Sequence, residues 1–178
     1  MKYIALLKGI NVGGQKMIKM KDLVNALASL HFSSIKTYLQ SGNVVFEHEV
    51  EDILKLTEKI ESKISEAFGF AVKTIIHTND ELESIINNNP FVDEPDIDPE
   101  KLHVTFLSEM PEQSRVENLE IKKEEVEKFS IISREVYLYC PNGYGNTKLN
   151  NSVFEKKLNV IATTRNWKTV KNIFTLSK

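Results

Sequence analysis

The chain has 178 residues, of which 41% are hydrophobic and 27% charged, proportions that exclude a largely disordered protein. Its formal net charge of −2 lacks the basic excess that most nucleic-acid-binding proteins carry. The single cysteine, Cys140, excludes an internal disulfide, and every apolar run is too short for a signal-peptide core or a membrane span, so we expect a cytoplasmic protein.

The first half of the chain predicts the order strand, helix, strand, strand, helix, strand. The predicted elements are a buried strand at residues 3–10, a helix with Met20, Leu23, Val24 and Leu27 on one face, strands at 35–40 and 43–47, a helix at 51–68 and a strand at 71–77. Gly69 has the position of a C-terminal glycine cap for the longer helix. Thr78, Asn79 or Asp80 is expected to cap a further short helix.

Residues 90–100 are the predicted boundary between two halves, 1–89 and 101–178, because prolines and unbalanced acidic charge interrupt both helix and strand there. The order of elements then repeats, with strands at 102–107, 129–132 and 136–140, a weak helix at 112–126, a helix on Leu149, Val153, Phe154 and Leu158, and a last helix at 164–176. We therefore predict an α+β protein of two tandem ferredoxin-like (βαββαβ-type) halves with mostly antiparallel sheets and helices packed on one face, as two domains or one compact domain.

A glycine-rich loop between the first strand and the first helix is the most distinctive local feature. Its candidate ligand-binding residues are Lys8, Gly9, Asn11, Gly13, Gly14 and Lys16. Backbone N–H groups before a helix can hold a phosphate, but Gln15 and Met17 replace the lysine and hydroxyl residues of a P-loop. Two interpretations stay open: a tight strand-to-helix turn, which we favour, and an anion or ligand site.

Two further segments carry polar groups outside the amphipathic faces. The first is the predicted hairpin turn with Tyr38, Gln40, Ser41 and Asn43, whose neutral donors and acceptors suit either a polar ligand or ordinary turn hydrogen bonds. The second comprises Lys148 with Arg165, Asn166 and Trp167 near the predicted start of the last helix, which Thr163 or Thr164 would cap. Cations at a helix start oppose the helix dipole, so we expect either a bound anion or an acidic side chain nearby, and a buried Trp167.

Other chemistry is poorly supported by the sequence. The four histidines have no metal-ligand spacing, so we expect no metal and no cofactor, and we expect Cys140 to be a small buried thiol. An RNA-recognition module with this order of elements would stack bases on aromatic side chains, but the matching positions are Asn43 and Val45. Nucleic acid and membrane are therefore unexpected partners.

Three blocks of the sequence carry a family resemblance: YIALLKGINVGG at residues 3–14, TYLQSGNVVF at 37–46 and TTRNWKTV at 163–170. In order and spacing they resemble DUF1697, a family of bacterial proteins that bears the description of a domain of unknown function. The resemblance implies a compact α+β protein and no assigned activity. Lys8 departs from the arginine that the family usually carries, and lysine would hold an anion less selectively.

Three functions are compatible with these residues. The first is a binding protein in which the three polar segments form one site for a polar or anionic, phosphorylated small molecule. The second is an enzyme acting on a small phosphorylated or nucleotide-like substrate, with Lys8 or Lys16 as the first candidates for a reacting group. The third is a nucleic-acid-binding module, which the overall charge disfavours.

Overall fold

The computed structural model describes residues 1–49 and 52–178. The chain divides into two compact units. Unit 1 comprises Met1–Glu83 and Asn172–Lys178, and unit 2 comprises Ser84–Lys171, so the proline-rich segment at residues 90–100 lies within unit 2. None of the helices in the described ranges combines the length and apolar character that a membrane span requires.

Unit 1 contains a four-stranded antiparallel sheet in the order β2-β3-β1-β4. The elements of this first half are β1 (Lys2–Leu7), α1 (Met20–Ala28), β2 (Ser33–Tyr38), β3 (Asn43–Glu47), α2 (Ile53–Phe68), β4 (Thr74–Thr78) and α3 (Asn79–Asn87). This order and this topology are those of a ferredoxin-like fold followed by one further helix.

Unit 2 contains a second four-stranded antiparallel sheet in the order β6-β7-β5-β8. The elements of the second half are β5 (Leu102–Leu107), α4 (Gln113–Glu117), β6 (Lys128–Ile132), β7 (Glu135–Tyr139), α5 (Asn151–Leu158), β8 (Ala162–Asn166) and α6 (Trp167–Ser177), with short 3-10 turns at Pro99–Lys101 and Tyr144–Asn146. The tandem ferredoxin-like α+β architecture predicted from the sequence is thereby confirmed.

The two halves repeat each other in hydrogen-bond register as well as in element order. In unit 1 the N–H of Leu7, at the end of β1, donates to the carbonyl oxygen of Gly42 at 2.8 Å. In unit 2 the N–H of Leu107, at the end of β5, donates to the carbonyl oxygen of Arg134 at 2.9 Å. Equivalent positions can therefore be compared between the halves, although the sequences of the two halves show no residue-level identity.

Each sheet is covered on one face by helices that carry an apolar stripe. In unit 1 the side chains of Leu23 on α1 and Leu56 and Ile60 on α2 join Tyr3 and Leu7 of β1 in one buried cluster. Burial of one such side chain contributes about 1.5–3 kcal/mol, so helical and strand periodicity together hold the helices on the sheet. Unit 2 has a matching cluster that includes α5 and β7.

The two ends of α2 and the start of α3 follow the expected capping chemistry. Gly69 ends α2 with a φ of 79°, which confirms the predicted glycine cap. Helix α2 begins at Ile53, where the carboxylate of Asp52 accepts from two backbone N–H groups, while the predicted start, Glu51, lies outside the described residues. Thr78 caps α3, because Thr78 Oγ1 accepts from the Glu81 N–H and the Glu81 carboxylate accepts from the Thr78 N–H.

The start of the predicted last helix is wrong. Residues Ala162–Asn166 form strand β8, in keeping with the strand preference of β-branched Thr163 and Thr164, and α6 begins only at Trp167. The carboxamide oxygen of Asn166 accepts from the N–H of Thr169 at 2.8 Å, so Asn166 caps the helix instead of Thr163 or Thr164. The predicted weak helix at 112–126 is likewise reduced to Gln113–Glu117.

Candidate functional site

The glycine-rich loop of unit 1 folds back on itself as a small hairpin. The N–H of Gln15 donates to the Val12 carbonyl oxygen at 3.0 Å, and the N–H of Asn11 donates to the Lys16 carbonyl oxygen at 3.2 Å. Gly13 and Gly14 between them have φ angles of 58° and 73°. A two-residue turn with positive φ at both positions favours glycine, which is the physical reason for the paired glycines.

The side chain of Asn11 joins this loop to the β2–β3 turn. Its Nδ2 donates to the carbonyl oxygen of Ile18 at 2.9 Å and to that of Gln40 at 2.7 Å. Its Oδ1 accepts from the N–H of Ile18 at 2.8 Å. Two segments that were separate candidates in the sequence therefore form one continuous surface, residues 8–21 with 38–43, which we name the tip surface.

The β2–β3 turn is held from inside by the fully buried side chain of Asn43. Its Nδ2 donates to the carbonyl oxygen of Tyr38 at 2.8 Å and to Ser41 Oγ at 3.0 Å. The hydroxyl oxygen of Tyr38 accepts from Nδ2 of Asn172 at 2.6 Å, within the same unit. These groups therefore shape the turn, and Gln40 presents an exposed side chain on it.

Gly42 permits the close approach of this turn to the loop. Its φ is 75°, and a Cβ atom placed on it would lie 2.6 Å from Ile10 Cδ1 and 2.8 Å from Leu7 Cβ. A tight turn with positive φ by itself favours glycine, and the contact with Ile10 is a second reason that only the folded chain reveals.

The tip surface is cationic. Residues 8–21 include four lysines and no acidic residue: Lys8, Lys16, Lys19 and Lys21. The ammonium of Lys16 donates to the carbonyl oxygen of Ala71 at 2.8 Å. Gly9, with a φ of 68°, is exposed beside Lys8, and a Cβ atom placed on it would meet nothing within 4 Å.

The third candidate segment, with Lys148 and Arg165, lies in unit 2. Arg165 does not lie where the sequence predicted. Arg165 is on β8 rather than at the start of α6, and only 9% of it is exposed. Its Nη1 donates to Thr163 Oγ1 at 2.8 Å and to the Thr164 carbonyl oxygen at 3.0 Å. Burial lowers the pKa of the Arg165 guanidinium to about 10, because desolvation disfavours the charged form.

The other residues of this segment have separate roles. Trp167 is the first residue of α6 and is buried, as the sequence predicted. Asn166 caps the same helix, so its carboxamide oxygen is engaged by the backbone. Lys148 is exposed, and Cys140 is a fully buried thiol whose pKa is raised by burial to about 11. Cys140 is thus confirmed as a small buried thiol.

A polar cluster around Thr164 in unit 2 was missed by sequence reasoning. Thr164 Oγ1 donates to Asn151 Oδ1 at 2.6 Å and accepts from the Tyr144 hydroxyl at 3.0 Å. Thr164 donates its single hydroxyl proton to Asn151, so in the contact between Thr105 Oγ1 and Thr164 Oγ1 at 2.7 Å the Thr105 hydroxyl is the donor. The cross-strand register of Thr105 opposite Thr164 brings these residues together, and no sequence pattern shows that register.

The ring of His103 stacks on Tyr144 beside this cluster, with ring centroids 5.0 Å apart. Burial lowers the pKa of His103 and raises that of Tyr144, so both side chains are neutral near pH 7. The Nδ1 atom of His103 lies 3.2 Å from the Lys101 carbonyl oxygen, which fixes the neutral tautomer with a proton on Nδ1. Within residues 1–49 and 52–178, no three metal-ligating side chains are grouped to hold an ion.

Comparison with known proteins supports the family resemblance. Over its full length the chain is similar in structure to the conserved bacterial protein SP0830 from Streptococcus pneumoniae, with a TM-score of 0.77, 24% sequence identity, and coverage of 99% of this chain and 98% of that one. At this identity the likeness shows the fold. No curated protein matches the chain. The family described as "Protein of unknown function (DUF1697)" matches residues 1–137, and the chain belongs to that family.

Proposed function

We propose that this protein binds a polar or anionic, phosphorylated small molecule at the tip surface, and that it does so in the cytoplasm. One observation carries the proposal: the fold itself does not need the hairpin that forms this surface. The β1–α1 connection has twelve residues, 8–19, whereas the equivalent β5–α4 connection in unit 2 has five, 108–112. In the second half, therefore, far fewer residues are enough to connect the equivalent strand to the equivalent helix.

The residues of the β1–α1 connection differ in burial, which distinguishes those that belong to the core from those that do not. Ile10 and Ile18 are 1% and 2% exposed and belong to the core of unit 1. The residues 12–17 between them are all exposed and add nothing to that core. A loop longer than the fold requires, held in one conformation without contributing to the core, is typical of binding function.

The chemistry of the surface favours an anion. Lysines attract phosphate as point charges, and the tip surface carries four of them in a chain whose net charge is −2. The N–H groups of Gly13 and Gly14 make no hydrogen bond within the described part of the chain, so they are donors available to a ligand. The side chain of Asn11 holds the two segments in place before any ligand arrives, which lowers the entropic cost of binding.

A thermal-shift screen tests this proposal. The panel contains inorganic phosphate, pyrophosphate, nucleotides and sugar phosphates. A ligand at about one hundred times its dissociation constant adds about 2.7 kcal/mol to the free energy of unfolding, which raises the melting temperature by several degrees. We expect at least one phosphorylated compound to give such a shift.

Matched variants locate the site. Lys19→Ala combined with Lys21→Ala removes two exposed charges from the tip surface, and Lys122→Ala combined with Lys156→Ala removes two exposed charges from unit 2. We expect the ligand-induced shift to shrink in the first pair and to persist in the second. An equal shift in both pairs, or a panel without any shift, contradicts the proposal.

A further inference from the structure

Three large apolar side chains are exposed on the tip surface. Val12 is 64% exposed, Met17 63% and Leu39 53%. Each of them is next in sequence to a residue of the Asn11 hydrogen-bond group. Val12 follows Asn11, Met17 precedes Ile18, and Leu39 precedes Gln40. Consecutive Cα atoms are about 3.8 Å apart, so the three residues lie on the backbone segments that Asn11 joins.

Their exposure is not explained by the packing of unit 1. The buried residues Ile10 and Ile18 already anchor the loop, and Val12 and Met17 lie between these anchors in sequence with exposed side chains. Leu39 has a φ of 60°, a conformation that a branched apolar residue seldom adopts in a turn. Grouped apolar side chains that remain in water mark a binding site more often than scattered ones.

The same surface carries the lysines at positions 8, 16, 19 and 21, so apolar contact and positive charge occur together. An inorganic anion would engage the charges and leave Val12, Met17 and Leu39 in water. A neutral apolar molecule would cover these side chains and make no contact with the exposed ammonium groups of Lys19 and Lys21. A ligand with both parts matches all of the groups that the surface presents.

We propose that the ligand of the tip surface is an amphiphilic anion, a soluble small molecule that joins a phosphate group to an apolar moiety. The phosphate binds at Lys19, Lys21 and the N–H groups of Gly13 and Gly14. The apolar moiety covers Val12, Met17 and Leu39. This inference rests on the proposed function and specifies its ligand class.

Methionine methyl labelling provides a direct readout with an internal control. Met17 lies in the β1–α1 connection and is 63% exposed, while Met110 lies in the equivalent β5–α4 connection and is 69% exposed. Titration of methyl-labelled protein with hexyl phosphate, inorganic phosphate and hexanol separates the contributions of the two halves of the ligand. We expect hexyl phosphate to shift the Met17 methyl resonance and to leave that of Met110 unchanged.

The affinities decide between a phosphate site and an amphiphile site. We expect hexyl phosphate to bind at least tenfold more tightly than inorganic phosphate, because each buried methylene adds to the binding free energy. Equal affinities of the two would overturn the inference while leaving the proposed function intact. Equal shifts of Met17 and Met110 would also overturn it, because they show unspecific apolar contact. If neither compound binds, both the inference and the proposed function fail.

Variants that keep the loop conformation provide the second test. Val12→Thr keeps the β-branched shape and replaces a methyl group by a hydroxyl group, and Leu39→Asn introduces a residue that tolerates positive φ. We expect this double variant to lose about tenfold in affinity for hexyl phosphate and to retain its affinity for inorganic phosphate. An unchanged preference for hexyl phosphate would overturn the inference. A last measurement tests binding to vesicles that contain anionic lipid. Binding to these vesicles in preference to free hexyl phosphate would also overturn the inference that the ligand is a soluble small molecule.

Discussion

Asn11 and Gln40 are 29 residues apart in sequence, yet the side-chain amide of Asn11 donates to the backbone carbonyl oxygen of Gln40 at 2.7 Å. The contact is made between a side chain and a backbone group, so the identity of residue 40 is irrelevant to it. Asn11 has a φ of 55°, which asparagine tolerates better than most residues. One residue therefore supplies both the backbone conformation of the loop and its connection to the β2–β3 turn.

We predict that Asn11→Ala lowers the free energy of unfolding by about 2.5–5.5 kcal/mol. The change removes three hydrogen bonds, each contributing about 0.5–1.5 kcal/mol, and forces alanine into positive φ at about 1 kcal/mol. Asn11→Gly removes the same hydrogen bonds without the conformational cost and should be less destabilising. Asn159, with a φ of 58° at the end of α5, is the control, because Asn159→Ala incurs only the conformational cost. Urea unfolding measures all variants, and equal losses at both sites would contradict the role of Asn11.

Gly42 and Gly69 provide a matched test of steric contact. Their φ angles are 75° and 79°, but a Cβ on Gly42 meets Ile10 and Leu7 below 3.0 Å, whereas a Cβ on Gly69 meets nothing within 4 Å. We predict that Gly69→Ala destabilises by about 1 kcal/mol and that Gly42→Ala destabilises by about 1–3 kcal/mol more, because overpacking adds to the conformational cost. Thermal unfolding of both variants gives the comparison. A loss at Gly42 no larger than that at Gly69 would show that the loop moves away freely.

Thr164 is the centre of the polar cluster in unit 2, and we predict that Thr164→Val destabilises by about 2–4 kcal/mol. The substitution leaves the Tyr144 hydroxyl and Asn151 Oδ1 without their partner. Each fully buried unsatisfied group would cost about 1–3 kcal/mol, and partial burial keeps the total for these two below the upper end of that sum. Tyr144→Phe removes the tyrosine hydroxyl, so that in this background Thr164→Val leaves one unsatisfied group fewer. In a double-mutant cycle the losses should therefore be less than additive, by about 0.5–3 kcal/mol. Strict additivity would mean that the hydroxyl groups do not interact.

The buried thiol of Cys140 makes stability depend on pH in the alkaline range. Burial raises its pKa from 9.0 to about 11, so between these values the unfolded chain releases the thiol proton and the folded chain retains it. The folded state then binds more protons, and the free energy of unfolding falls as pH rises. We predict a steeper fall for the unmodified protein than for Cys140→Ala, measured by urea unfolding from pH 8 to pH 10. Parallel pH profiles would show that the thiol does not contribute.

The fold was largely predictable because its main elements carry local signals. The helical spacing of Leu56 and Ile60 and the glycine at position 69 indicate α2 and its end without tertiary information. Strand β8 carried a weaker signal, since Ala162–Asn166 has one apolar residue, and its threonines resembled a helix cap. The pairing of β8 with β5 decides the structure there, and pairing between distant strands is not a local property.

The candidate site was predictable only in part, for the same reason. Glycines and lysines marked the loop, but its hydrogen bond from Asn11 to the β2–β3 turn depends on the folded backbone. The cluster around Thr164 has no marker, because Thr105, Tyr144 and Asn151 are common residues whose meeting depends on strand register. Arg165 was recognised as unusual, yet its burial follows from the strand that sequence reasoning missed.

The discontinuity of unit 1 constrains the order in which the protein is completed during synthesis. Asn172–Lys178 belongs to unit 1, and there Ser177 Oγ donates to Asn79 Oδ1 and the Leu176 carbonyl oxygen accepts from Lys36 Nζ at 3.4 Å. All of unit 2 is translated before this segment. The segment that completes unit 1 is therefore translated after unit 2, and residues 1–83 must persist without these contacts until Asn172–Lys178 has emerged from the ribosome.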